Sequence, residues 1–111
     1  MSDYLPDLNI EELCKACKEG DEETVQEYID KGFTGFNEKD LKGWTPLYWA
    51  CRKGRVGVVK RLLKVEDLDI NIENGPDKWT PLGIASRYGY HEIVSLLLEH
   101  GADPNKGMCY F

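Results

Sequence analysis

Apolar side chains recur along the chain at steps of three and four in three short runs. Val25, Tyr28 and Ile29 form the first, Val56, Val59, Leu62 and Leu63 the second, and Ile93, Val94, Leu97 and Leu98 the third. That spacing predicts one buried stripe on each of three short amphipathic helices. Ahead of each run lies a second helical stretch, and these stretches match one another. Leu47-Tyr48-Trp49-Ala50-Cys51-Arg52-Lys53-Gly54 aligns with Leu82-Gly83-Ile84-Ala85-Ser86-Arg87-Tyr88-Gly89 at a shift of 35 residues. Leu13-Cys14-Lys15-Ala16-Cys17-Lys18-Glu19-Gly20 lies 34 residues upstream, with leucine, alanine and glycine in register. The chain therefore reads as three copies of one two-helix unit.

Local chemistry predicts where each unit starts and stops. Trp44-Thr45-Pro46-Leu47 and Trp79-Thr80-Pro81-Leu82 each offer a threonine hydroxyl to the first orphan amides, followed by a proline where a helix loses no hydrogen bond. The first copy opens differently, with Asn9 as cap and Glu12 three residues on, a reciprocal capping pair. Gly20, Gly54 and Gly89 end the first helices, because a left-handed residue after a helix costs glycine least. Gly32 and Gly101 close two of the second helices, and Asn37, Asn71 and Asn105 fall at matching places beyond them.

No copy alone is long enough to bury its stripe, so the copies must stack and share one core. Stacking bears on the four cysteines. Cys17 and Cys51 hold the same slot of neighbouring copies, and neighbouring helices pack about 8–10 Å apart. A disulfide needs its Cα atoms within about 7 Å, so both are expected to be buried free thiols. Cys14-x-x-Cys17 is half of a zinc site without a second half, since Cys51, Cys109, His91 and His100 form no matching pair. No metal and no cofactor is expected.

Gly43-Trp44-Thr45-Pro46-Leu47 and Leu96-Leu97-Leu98-Glu99-His100-Gly101-Ala102-Asp103-Pro104-Asn105 resemble the two ends of an ankyrin repeat. The resemblance covers about residues 9 to 105. It implies an all-α solenoid of three helix-turn-helix repeats joined by short β-hairpin-like loops. The expected segments are an extension over 1–8, repeats over 9–39, 40–71 and 72–105, and a tail over 106–111. Copy one lacks Thr-Pro-Leu, as an N-terminal capping repeat would. The family's usual histidine after Thr-Pro-Leu is Tyr48 in one copy and Gly83 in the next, so its usual inter-repeat hydrogen bond is not expected here. An extra residue within Asn74-Gly75-Pro76-Asp77-Lys78 predicts an irregular hairpin tip. After Met108-Cys109-Tyr110-Phe111 no C-terminal cap is visible, which implies a truncated chain, a self-association surface, or coverage of that end by a partner.

Function in this family is recognition of another protein, through hairpin tips and the concave row of first helices. Carried over by position, the resemblance implies Leu41, Lys42, Trp44, Arg52 and Lys53 in the second copy and Asp77, Lys78, Trp79, Arg87 and Tyr88 in the third, with Lys18 and Glu19 from the first. Tryptophan, tyrosine and arginine are the residue types that dominate protein interfaces. Trp44 and Trp79 have an equal claim as packing residues against the neighbouring hairpin.

Charge narrows the partner. Of the 111 residues, the first 40 hold twelve acidic and four basic side chains, whereas residues 41 to 64 hold seven basic and no acidic ones, within a net charge of −6. Arg52 and Lys53 fall on first helices, but Lys60, Arg61 and Lys64 fall on second helices, so the cations do not share one face as a nucleic-acid groove requires. Nucleic acid is not expected as a partner, and the cations read as solvated surface with steering of an acidic protein. The N-terminal residues lack a basic start and an apolar run, and no stretch is long enough to span a membrane. An intracellular site, cytoplasmic or nuclear, is the corresponding expectation. No phosphate loop, His-Glu-x-x-His or Gly-x-Ser-x-Gly is present, so catalysis is not expected. A protein-binding module is the leading reading. A stoichiometric inhibitor of an enzyme such as a kinase and a unit that self-associates through its uncapped C-terminal end are the alternatives.

Overall fold

The threonine caps turn extended backbone into helix where the sequence places them. In the computed structural model, which describes residues 8–107, Thr45 has ψ 164° and its hydroxyl accepts from the Tyr48 amide at 3.3 Å. Thr80 repeats this on the Gly83 amide at 3.1 Å, with Pro46 and Pro81 opening the two helices. Asn9 caps the first copy by accepting from the Glu12 amide at 2.9 Å. Six helices result: α1 (Ile10–Glu19), α2 (Glu22–Asp30), α3 (Pro46–Arg52), α4 (Val56–Leu62), α5 (Pro81–Tyr88) and α6 (His91–Glu99). Gly20 and Gly89 end α1 and α5 in the left-handed region, at φ 78° and 74°. α3 stops one residue sooner relative to its glycine, with Lys53 as C-cap and Gly54 just beyond. The expectations for residues 1–7 and for Met108-Cys109-Tyr110-Phe111, including the open C-terminal end, lie outside the described residues.

α1, α3 and α5 pack side by side as one row, α2, α4 and α6 as a second, and each first helix packs on its own second helix. Between the rows the equivalent leucines Leu13, Leu47 and Leu82 and the equivalent alanines Ala16, Ala50 and Ala85 are buried. The small alanines permit close approach, and the leucines fill the space on either side. Val25, Val59, Leu62, Ile93 and Leu97 complete the core from the second row. Two details differ from the apolar pattern. Leu98 is 46% exposed, because the buried stripe of α6 runs through Ile93 and Leu97 and the next residue turns about 100° away from it. Val58, outside the spaced set, is buried instead.

The matching asparagines tie the copies together at the far ends of the second helices. Asn37 donates to the Asp67 carbonyl and accepts from the Asp69 amide, both at 2.7 Å, and Asn71 accepts from the Asp103 amide at 2.9 Å. At the opposite side, Asn74 and Trp79 exchange two backbone hydrogen bonds of 2.7 and 3.0 Å that close a hairpin, with Gly75 and Lys78 both at positive φ. The turn before α3 is closed by the Asp40 amide on the Trp44 carbonyl at 2.9 Å. Asn74 also reaches the preceding copy, where its Oδ1 accepts from the Thr45 amide at 2.8 Å. A direct inter-repeat side-chain bond therefore exists, but it comes from the hairpin rather than from the position of Tyr48 or Gly83.

Asp21 caps α2 by accepting from the Thr24 hydroxyl at 2.7 Å and from its amide at 3.1 Å. These bonds hold its carboxyl below the ordinary range. The cap's contribution is complete above the ordinary carboxyl pKa and fades as pH falls through the lowered one.

Candidate functional site

On the outer side of the α1, α3, α5 row, partly buried and buried aromatic rings carry cations that lie over them. Trp44 leaves its turn just before the Thr45 cap, and its ring centroid lies 5.1 Å from Tyr48 and 4.6 Å from Trp49. Arg52, one turn further along α3, places its guanidinium 4.9 Å from the Trp44 ring and 5.9 Å from the Tyr88 ring of the next copy. It also donates to the Tyr48 hydroxyl at 3.4 Å. Lys18 of α1 lies 5.2 Å over Trp49, and Arg87 of α5 lies 5.7 Å over Trp79. Tyr88 in turn packs on Tyr90 at 5.9 Å. The contacts run from Lys18 over Trp49 to Trp44, Arg52 and Tyr88, with Tyr48 and Trp49 buried beneath and Trp44, Arg52 and Tyr88 reaching the surface. Each such contact contributes about 0.5–1 kcal/mol where exposed, and desolvation by a partner would raise that.

One carboxylate fixes the cluster. Asp40 accepts from the Trp49 indole N–H at 2.7 Å, the Lys42 amide at 2.9 Å and the Trp44 amide at 3.1 Å. It thereby sets the turn and the orientation of Trp49 together. Glu11 accepts from the Leu41 amide at 2.7 Å, which joins the turn to α1. Between them lies a shallow open cavity of about 140 Å³ lined by Glu11, Cys14, Lys15, Lys18, Asp40, Lys42 and Trp49.

The structure brings Trp44, Arg52 and Tyr88 into one cluster and pairs Trp79 with Arg87 beside it. Leu41, 92% exposed, and Lys42 stand on the turn, with Lys42 in the cavity wall. Lys53, Asp77 and Lys78 are exposed but take no part in the ring stacking. Both tryptophans are half-buried, and each serves packing and surface at once. Trp44 lies against the next hairpin, where a methyl on Gly75 would come within 3.2 Å of its indole nitrogen. Trp79 instead lies beside Gly83 of its own copy, where a methyl would come within 3.2 Å of its ring. Their remaining faces carry the two arginines. Trp49, Asp40 and Lys15 escaped the sequence reading. A tryptophan next to Tyr48, in the slot that holds Lys15 and Ile84 elsewhere, was the available signal for the first of them.

Charge on the second row behaves differently. Glu22 pairs with Arg61 at 3.1 Å, Glu92 with Lys60 at 3.6 Å and Glu27 with Lys31 at 3.0 Å. All three pairs belong to the second-helix side, so the basic middle of the chain is divided between a paired face and a ring-stacked face.

Cys14, Cys17 and Cys51 are buried free thiols in the core between α1 and α3. Burial pushes all three well above the ordinary thiol range, and for Cys14 the nearby Asp40 carboxylate adds to this. Thiolate, the reactive form, is then scarce at any physiological pH. With Cys109 replaced by serine, the native chain is expected to resist a disulfide-exchange reagent at pH 8 and to release three equivalents once unfolded in urea. Fast labelling of the folded chain would contradict this. Among the described residues no His, Cys, Asp and Glu side chains cluster as a metal site, and no helix is long and apolar enough to cross a membrane.

Comparison with known proteins gives a match to a family described as ankyrin repeats in three copies, over residues 13–108. The palmitoyltransferase AKR1 of Lachancea kluyveri is 42% identical over 92 residues, which is 81% of this chain and 12% of that protein. The 26S proteasome non-ATPase regulatory subunit 10 of Dictyostelium discoideum is 36% identical over 93 residues, 84% of this chain and 40% of that protein. The human scaffold protein ILK is 36% identical over 68 residues, 61% of this chain and 15% of that protein. The chain thus spans less than half of the length of each of these relatives.

Proposed function

Because the chain belongs to the ankyrin-repeat family, whose repeats are protein–protein interaction modules that are in general not catalytic, we propose that it binds a partner protein through the α1, α3, α5 face and the adjoining turns, and that it is not itself an enzyme. The observation that carries this reading is the cluster of Trp44, Arg52 and Tyr88 that joins two copies on this face, seated on the buried Trp49 ring. Large rings held rigid by neighbours lose little entropy when a partner covers them, and they form the centre of most interface hot spots. Two of the relatives bear the names of a scaffold and a regulatory subunit, which supports a binding role over a catalytic one. The match to the palmitoyltransferase involves only a small part of that protein. Free thiols in the core go with a reducing, intracellular setting.

The test is capture of partners by the tagged chain, repeated with Trp79→Ala, Arg87→Ala and Tyr88→Ala combined. Hot-spot side chains contribute about 2 kcal/mol or more each, so binding is expected to fall by at least about 30-fold while helix content by circular dichroism is kept. Undiminished capture by a folded triple variant would place binding elsewhere on the chain.

A further inference from the structure

The chain has five asparagines, and Asn74 alone is followed by glycine; Asn9, Asn37, Asn71 and Asn105 precede Ile10, Glu38, Ile72 and Lys106. The amide carbon of an asparagine side chain is open to attack by the backbone nitrogen of the next residue. Glycine, with no side chain, leaves that nitrogen least obstructed and its backbone freest to approach. Asn74-Gly75 is therefore where a side-chain amide of this chain is chemically weakest. The fold holds that amide away from the reaction. Asn74 is 1% exposed, its Oδ1 accepts from the Thr45 amide at 2.8 Å, and its Nδ2 donates to the Ile72 and Trp79 carbonyls at 2.8 and 3.1 Å. Its backbone is pinned as well, by the two bonds that it exchanges with Trp79. Yet this guard hangs on an open turn. Pro76, Asp77 and Lys78 face solvent, and Lys78, at φ 59°, is the only non-glycine among the described residues at positive φ, a conformation that is costly for a residue with a side chain. A hairpin closed by two backbone bonds around such a turn opens locally while the core of the stack stays folded.

We propose that Asn74 is a deamidation site guarded by the hairpin, so that local opening over residues 74–79 is recorded as a covalent change that prevents reclosure. In the open hairpin the Gly75 nitrogen gives its proton to solvent base and bonds to Asn74 Cγ. The Cγ–Nδ2 bond breaks, and Nδ2 leaves as ammonia with a proton returned from solvent. A five-membered imide results. Water then adds to one of its two carbonyls: opening at Cγ leaves aspartate, and opening at the backbone carbonyl leaves isoaspartate, whose main chain runs through the former side chain. One water is consumed and one ammonia released, and nothing is oxidised or reduced. Neither product fits the closed hairpin. A carboxylate oxygen in place of Nδ2 turns lone pairs toward the Ile72 and Trp79 carbonyls, where a donor stood. Isoaspartate also inserts a methylene into the main chain between the two groups bonded to Trp79, which breaks their pairing. Either change loosens the hairpin that carries the acceptor of the Thr45 amide, and with it the side-chain link from the third copy to the second.

The test ages the intact chain in mildly alkaline buffer, once folded and once unfolded in guanidinium chloride, and reads deamidation at each asparagine and the isoaspartate fraction by peptide mass mapping. In the unfolded chain Asn74 is expected to react at least about 10-fold faster than Asn37, Asn71 or Asn105. In the folded chain it is expected to react at least about 10-fold slower than in the unfolded one, since only the open fraction is competent. Gly75→Ala, read in the unfolded chain so that its own folding is not at issue, should slow Asn74 by about 10-fold as well. The deamidated chain, returned to native buffer, should unfold at a lower urea midpoint than the fresh chain and lose hydrogen-exchange protection at the Thr45 amide. Equal rates at Asn74 in the folded and unfolded chain would overturn the guard. Other asparagines reacting as fast in the unfolded chain, or no slowing by Gly75→Ala, would overturn the site. A deamidated chain that keeps both its midpoint and its Thr45 protection would overturn the one-way step.

Discussion

Leu47→Ala is expected to lower the stability of the chain by about 2–5 kcal/mol, as deletion of a fully packed leucine does. Leu47 is 1% exposed and belongs to α3, the helix that packs on α1, α4 and α5 together. In a stack of repeats, stability is the sum of each unit and its interfaces, so a cavity in the middle unit weakens both neighbours. A domain of this size has only about 5–15 kcal/mol in total, and the variant should be partly unfolded at 37 °C. Urea unfolding followed by circular dichroism gives the value directly. A loss below about 1 kcal/mol would mean that the shared core is not what holds the copies together.

Asn74→Ala is the second large effect, of about 2–4 kcal/mol, and it arises without any apolar loss. Asn74 is 1% exposed, and its side chain makes three hydrogen bonds. Oδ1 accepts from the Thr45 amide, while Nδ2 donates to the Ile72 carbonyl at 2.8 Å and the Trp79 carbonyl at 3.1 Å. Alanine leaves the buried Thr45 amide and the Ile72 carbonyl without this partner, while the Trp79 carbonyl keeps the backbone N–H of residue 74, and each buried group so left costs about 1–3 kcal/mol. Some of that is recovered where water reaches the hairpin. Asn74→Asp should not rescue the loss, because a carboxylate keeps the acceptor but turns its second oxygen toward two carbonyls. Urea midpoints of both variants, with hydrogen exchange at the Thr45 amide, separate this from a general loosening. A midpoint unchanged in Asn74→Ala would remove the hairpin-to-hairpin bond from the account.

The contrast between these residues shows which parts of the molecule a sequence can disclose. Leu47 was legible because its neighbours in space repeat its neighbours in sequence: Leu13, Leu47 and Leu82 share a slot and a burial. The caps at Thr45 and Thr80 were legible because a threonine, a proline and the amide three residues on act within a single turn. Asn74 was not, since its decisive partner lies 29 residues earlier and nothing local distinguishes it from a turn asparagine. The sequence suggested an irregular tip there, and the structure shows a hairpin closed by two backbone bonds. Leu98 failed for the opposite reason. A run of three leucines satisfies a helical stripe in more than one way, and only the placement of α6 against α4 and α5 selects Leu97.

The proposed binding face was half legible. Position in the repeat put Trp44, Arg52, Trp79, Arg87 and Tyr88 on one side, but it did not reveal that the tryptophans both pack and present a face. That Lys18 reaches across to Trp49, and Arg52 to Tyr88, depends on the lateral offset of neighbouring helices. No spacing along one copy encodes that offset. Asp40 was invisible as an organising residue because its three donors come from backbone and indole groups, which carry no compositional signature.

The central claim is that recognition occurs on the α1, α3, α5 face. It is tested most directly by recording amide chemical shifts of the isotope-labelled chain with and without a captured partner. The account predicts shifts concentrated at Lys18, Arg52 and Tyr88 and over residues 40–44 and 74–79, with α2, α4 and α6 little changed. Shifts concentrated along α2, α4 and α6 instead would contradict it, and would assign recognition to the ion-paired side of the stack.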